Sequence, residues 1–182
     1  MLSLTALKNI LNICDQARDI SGQLHSVTGA ISMSQVFDNA VYKPEYFKTY
    51  EVVDPITFAT YGDKALQFMD SHILWTFDAL REYFNTTIII NNYNNPKTGT
   101  VYKDSGLRIK PVGTSARSQH LYGRAGDLKI TGVSAEEARQ EIIKNHRTSP
   151  AFRFITAIEL GVSWLHVDCR NTNQDALLTF TA

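Results

Sequence analysis

Ser118-Gln119-His120-Leu121-Tyr122-Gly123-Arg124-Ala125-Gly126-Asp127 has the form S-x-H-x-x-G-x-A-x-D, and a second stretch, Trp164-Leu165-His166-Val167-Asp168, answers it near the C-terminus. Together they supply His120, Asp127 and His166. Two imidazoles and a carboxylate are the donor set of a zinc ion that keeps a fourth position open. Such a site suits metal-assisted hydrolysis, because the metal lowers the pKa of water and polarises a carbonyl. An isolated His and Asp at this separation is common by chance. The five-position pattern Ser118, His120, Gly123, Ala125, Asp127, followed by an independent W-x-H-x-D, is far more specific.

Around these residues the pattern predicts strands. His120 lies in a loop, and residues 123–130 enter a strand on which Ala125, Asp127 and Lys129 share one face. Residues 152–160 and 163–169 read as two further strands joined at Gly161-Val162. A two-residue turn there sets Glu159 opposite Trp164 and on the face of His166, as a diagonal neighbour about 7–8 Å away, backbone to backbone. Glu159 is therefore the favoured general base. Asp168, two residues from His166 on the same face, is the alternative base; otherwise it orients a histidine as an outer acceptor. Trp164 shares that face, as the floor of a cleft or as packed core. Tyr122 and Arg124 flank the first motif and could line the cleft. Cys169 has the opposite parity and belongs to the core.

Further out, helical and extended segments alternate. Leu4, Leu7, Leu11 and Cys14 predict an amphipathic helix over residues 2–20, followed by an irregular arm over 21–42. Residues 50–53 read as a short strand and Asp54-Pro55 as a turn. Asp63 is positioned to cap a helix running to residue 84, with Leu66, Met69, Ile73, Phe77, Leu80 and Phe84 as its core stripe. The β-branched run 86–90 reads as a buried strand. Residues 91–106 form a long loop or an extended hairpin, and Ser134 with Glu137 makes a capping box for a helix to residue 145. The tail beyond residue 171 carries no motif. His25 and His146 read as surface residues, and His72, beside the core stripe, as a packed or half-exposed helix residue. The expected fold is α+β: a small antiparallel sheet flanked by helices (residues 46–182), with an N-terminal helix and arm (residues 1–45) as a possible docking segment.

Composition narrows the classes. The chain has 182 residues, 43% apolar and 20% charged, enough for a core and against global disorder. Its formal net charge is zero, which argues against nucleic acid or an anionic membrane as partner. Its two cysteines, Cys14 and Cys169, make no disulfide framework and indicate reduced thiols. The N-terminus lacks a signal-peptide pattern, and no run of about 18 apolar residues suggests a membrane span. The expectation is a protein made in a cytoplasm without an export signal of its own.

The two motifs, over roughly residues 46–170, resemble those of the zinc peptidases that cut bacterial cell-wall peptides: the D-Ala-D-Ala carboxypeptidases and L-Ala-D-Glu endopeptidases, with their phage endolysin relatives. Hedgehog signalling domains share that fold. The resemblance implies a hedgehog-like fold, zinc on His120, Asp127 and His166, and peptidoglycan stem peptides as substrate. It implies that Ser118 steadies the ligand loop or a substrate group. Two departures stand out. The family's Ser-Gly-Tyr-Arg is here Asn91-Asn92-Tyr93-Asn94, which makes Arg108 the candidate anchor for an oxyanion or substrate carboxylate. The family often has an acid three residues before the third ligand, where this chain has Ser163. The resemblance thus implies a lysis or virion enzyme acting at the bacterial wall, with residues 1–45 docking onto other virion proteins. A catalytically inactive structural protein of a phage particle and a cytoplasmic D-Ala-D-Ala dipeptidase are the competing expectations.

Overall fold

A computed structural model describes residues 41–96, 99–110 and 117–181. The expected helix over 2–20 and nearly all of the arm after it lie outside these residues. The described part is α+β. Four α-helices, α1 (Thr49–Val52), α2 (Pro55–Tyr61), α3 (Ser71–Phe84) and α4 (Ala135–Asn145), accompany five strands. These are β1 (Ile88–Ile89), β2 (Ala125–Ile130), β3 (Ala157–Glu159), β4 (Leu165–Asp168) and β5 (Leu178–Phe180), in the order β1-β2-β4-β3-β5. No helix among the described residues is long and apolar enough to cross a membrane.

Local chemistry explains the helix starts. Asp54 accepts hydrogen bonds from the amides of Ile56 and Thr57, with Pro55 at the first helical position, so the expected turn is the cap of α2. The expected strand over 50–53 is instead the short helix α1, whose Lys48 amide is taken up by the Glu51 carboxylate at 2.8 Å. The expected long helix from Asp63 is divided. A 3₁₀ helix, Gly62–Phe68, ends at the extended residue Met69, and Asp70 then caps α3 through the His72 amide. The capping box at Ser134 and Glu137 is present and starts α4.

The sheet is mixed, which corrects the antiparallel expectation: β5 runs parallel to β3, and the other pairs are antiparallel. The tail therefore supplies an edge strand. On the back of the sheet Leu128, Ile130, Ile158, Leu165 and Val167 join Ile73, Phe77 and Leu80 of α3 and Ala138 and Ile142 of α4 in one core cluster. Burying each large side chain there contributes roughly 1.5–3 kcal/mol. At Gly126 α3 presses close on the sheet, since a Cβ at that position would stand 2.5 Å from the Phe77 ring. At the N-terminal edge of the described part, the Asp78 carboxylate of α3 accepts from the Tyr42 hydroxyl (2.8 Å) and the amides of Glu45 (2.7 Å) and Tyr46 (3.2 Å).

With its back in the core, the sheet turns its other face to the motif residues. Asp127 of β2 pairs directly with His166 of β4. The β3–β4 register pairs Ala157 with Asp168 and Ile158 with Val167, which carries Glu159 opposite His166. The expected two-residue turn at Gly161-Val162 is replaced by a loop over residues 160–164. The register consequently differs from the expected one by an even number of residues, and Glu159 keeps its face. Asp127, His166 and Glu159 stand in one row across three strands.

Candidate metal centre

His120 reaches this row from the 3₁₀ turn Gln119–Tyr122. Gly123 closes the turn at φ +64, and a Cβ there would lie 2.1 Å from the Phe68 carbonyl oxygen, so only glycine fits. The imidazole is 2% exposed, and its Nδ1–H donates to the Gly106 carbonyl at 2.7 Å. That bond fixes the tautomer and leaves the Nε2 lone pair aimed at the row. Burial, opposed by Asp127 and reinforced by Arg108 and His166, holds the His120 pKa below the ordinary value.

Three ligand atoms converge. His120 Nε2 lies 3.3 Å from Asp127 Oδ1 and 3.3 Å from His166 Nδ1, and His166 Nδ1 lies 2.8 Å from Asp127 Oδ1. Ligands about 2.0–2.1 Å from a tetrahedral metal stand about 3.3 Å from one another, so these edges are close to those of a metal site. All three residues are buried, and together they could hold a metal ion. Around them stand three carboxylates, Asp127, Glu159 and Asp168, with the Arg108 guanidinium on Asp127 and the Arg170 guanidinium on Asp168.

The surrounding groups orient the ligands. His166 Nε2 faces Asp168 Oδ2 at 3.2 Å, which turns Nδ1 towards the site. Asp168 is fully buried and clamped by Arg170, whose Nε and Nη2 reach its oxygens at 2.5–2.9 Å. Burial alone would lower the His166 pKa, but hydrogen bonds to Asp127 and Asp168 outweigh it and lift it to about 9. Burial likewise works to raise the pKa of Asp127 and of Asp168, and is overcome in both. Bonds to His120 and His166 hold Asp127 below the usual carboxylate range, and bonds to His166 and Arg170 do the same for Asp168. Arg108 donates from Nη2 to Asp127 Oδ2 at 2.7 Å and from Nε to the Asp104 carbonyl, and its side chain is 13% exposed. Its Nη1 makes no hydrogen bond with any described residue.

Glu159 differs from every other acid here. It is buried, yet it accepts no hydrogen bond from any described residue, and its one ion pair among them is to His166 Nδ1 at 3.9 Å. It also lies outside the three-residue ligand group. A carboxylate left uncommitted beside a ligand group is poised to exchange a proton with something bound there.

The structure thus assembles His120, Asp127, His166, Glu159, Asp168 and Arg108. It does not bring Ser118, Tyr122 or Trp164 into hydrogen bonding with them. Ser118 opens the 3₁₀ turn without a side-chain cap bond, and Tyr122 is 56% exposed. Trp164 just precedes β4. Its carbonyl, with that of Val162, is held by the buried Arg139 guanidinium at 2.9 Å, and its indole Nε1 is buried without a partner among the described residues. Cys169 is only half-buried, with its thiol beside the Arg124 carbonyl and pushed up to about 12 by burial. His146, expected at the surface, is half-buried with Nε2 on the Ile155 carbonyl at 2.7 Å.

Several residues of the site were not expected from sequence. Arg170 holds Asp168 and stacks over the Phe180 ring at 4.6 Å, and Phe180 stands beside Glu159 in the β3–β5 register. Lys129 donates to the Ser105 hydroxyl at 3.2 Å and lies 4.1 Å over the Tyr102 ring. The signals for them were the W-x-H-x-D-x-R extension of the second motif, through Arg170, and the strand face that Lys129 shares with Asp127.

Comparison with protein-family models, curated proteins and solved structures found no match.

Proposed function

We propose that the chain is a zinc metallopeptidase that cleaves the stem peptides of bacterial peptidoglycan, of the hedgehog-like carboxypeptidase and endopeptidase kind. The carrying observation is the uncommitted Glu159 carboxylate beside the convergent His120 Nε2, Asp127 Oδ1 and His166 Nδ1. The likeness of the S-x-H-x-x-G-x-A-x-D and W-x-H-x-D stretches to the cell-wall peptidases supplies the substrate class.

Two neutral imidazoles and one carboxylate favour zinc among the common divalent ions. Bound there, zinc supplies Lewis acidity, polarising a carbonyl and lowering the pKa of water. Glu159 takes the proton of the attacking water and returns it to the leaving amine, a role worth typically 10²–10⁴ in rate. Arg108 keeps Asp127 in place through Nη2 and offers Nη1 to the oxyanion or to a substrate carboxylate. Asp168 holds His166 in the tautomer that presents Nδ1. The activity places the protein at the bacterial wall, as a phage lysis enzyme or a virion component, with residues 1–45 as its attachment to other virion proteins.

A second reading, a non-catalytic domain of a phage particle, draws on Ser163 standing where the family often has an acid and on Arg108 being spent partly on Asp127. One experiment separates the two. Purified peptidoglycan is digested with the zinc-loaded chain and the products are read by mass spectrometry, beside Asp127→Ala and Glu159→Gln. New peptide fragments that both variants fail to make support the peptidase and name the bond. An unchanged peptide profile across several wall types, with one zinc bound per chain, refutes it.

A further inference from the structure

We propose that Asn91 is a positioning residue of the metal centre, acting through the segment 104–108; the proposal rests on the metal reading above. Asn91 is 1% exposed and makes no hydrogen bond with any of the three ligands. Its Nδ2 donates to the Val53 carbonyl at 2.9 Å, its Oδ1 accepts the Ser105 amide at 2.9 Å, and its own amide donates to the Glu51 carbonyl at 2.9 Å. The Leu107 amide adds a bond to the Val52 carbonyl at 2.9 Å. Segment 104–108 therefore hangs from the end of α1, and the Asn91 side chain is the hook that carries Ser105.

That segment in turn holds two of the three ligands. The Ser105 carbonyl accepts the Asp127 amide at 2.8 Å, and the Gly106 carbonyl accepts His120 Nδ1–H at 2.7 Å. The Arg108 amide donates to the His120 carbonyl at 3.2 Å, and the Arg108 guanidinium holds Asp127 Oδ2 at 2.7 Å. One short planar group must donate to Val53 and accept from Ser105 at the same time. Asparagine does both; aspartate keeps only the acceptor, and alanine keeps neither. Groups behind metal ligands set ligand orientation and typically change metal affinity 10–100-fold when removed. Behind His120 the group is the Gly106 carbonyl, and the Asp127 amide is held by the Ser105 carbonyl, so the side chain that fixes this backbone shares the role.

The test compares the full chain with Asn91→Ala and Asn91→Asp. It reads zinc and cobalt affinity by competition with a chromophoric chelator, the visible bands of the cobalt form, and far-UV circular dichroism. Expected are a retained fold, a 10–100-fold weaker Kd and shifted cobalt bands for Asn91→Ala, with Asn91→Asp lying between Asn91→Ala and the unaltered chain. Asn91→Ala that folds and binds with the unaltered Kd and bands overturns the proposal, because a purely structural role would move only the unfolding temperature. Should Asn91→Ala fail to fold, amide hydrogen exchange on the unaltered chain decides. Protection of the Ser105 amide is expected to rise on zinc binding, and equal protection with and without zinc overturns the proposal. An unaltered chain that takes up neither metal sinks the metal reading itself, and this proposal with it.

Discussion

Replacing Asp168 by Asn removes one charge from the site and leaves its shape. Asp168 Oδ2 faces His166 Nε2 at 3.2 Å, and an amide oxygen can still accept that bond. What is lost is the charge assistance: bonds to charged groups are worth about 1.5–3 kcal/mol against 0.5–1.5 for neutral ones. The difference, roughly 1–1.5 kcal/mol, corresponds to about a tenfold weaker Kd for zinc. Arg170 makes a competing contribution, since its guanidinium loses its carboxylate. Breaking a buried pair costs about 3–5 kcal/mol, but the Arg170 side chain is 28% exposed and regains water, so the stability loss should fall below that range. Zinc affinity is measured by chelator competition on samples whose folded fraction is known from circular dichroism, with thermal unfolding alongside. Asp168→Asn that is folded, less stable and unchanged in zinc affinity would refute the orienting role and leave Asp168 as a purely structural partner of Arg170.

Glu159→Gln keeps the side chain's shape and removes the base. Its peptidoglycan turnover should fall at least 10²-fold with zinc stoichiometry unchanged, and full activity would move the base elsewhere. In the metal-free protein His166 has its pKa raised from 6.5 to about 9, so the stability it contributes is complete below about pH 6.5 and is lost as pH rises through about 9. Zinc takes the neutral ring, so binding near pH 7.5 should expel about one proton per zinc. Calorimetry in buffers of different ionisation enthalpy reads that number, and a value near zero would remove His166 from the ligand set. Gly126→Ala drives a methyl into the Phe77 ring, with a Cβ contact of 2.5 Å, and should cost roughly 1–3 kcal/mol in denaturant unfolding. No measurable loss would mean that α3 does not press on β2 as described.

The candidate site was more legible than the fold around it, for reasons that differ from residue to residue. His120 and Asp127 were readable because a short motif closes on itself through Gly123 and a single strand. Glu159 was readable despite a wrong turn, since strand parity survives an even register change. By contrast, residues 50–53 suggested a strand because Val52 and Val53 are β-branched, whereas tertiary packing made Thr49–Val52 a helical turn. Asp63 and Asp70 both have the chemistry of a cap, and only the break at Met69 chooses Asp70. Leu178–Phe180 is too short to show a period, and a parallel edge pairing depends wholly on β3 being in place. The groups behind the ligands were hidden for another reason. Gly106 and Ser105 act through carbonyl oxygens, which every residue has.

X-ray absorption at the zinc edge on the loaded full chain, beside Asp127→Ala, tests the central claim most directly. The account predicts one zinc per chain with two imidazoles and an oxygen ligand at about 2.0–2.1 Å, and loss of tight binding in the variant. Zinc without imidazole scattering, or equally tight binding by Asp127→Ala, would contradict it.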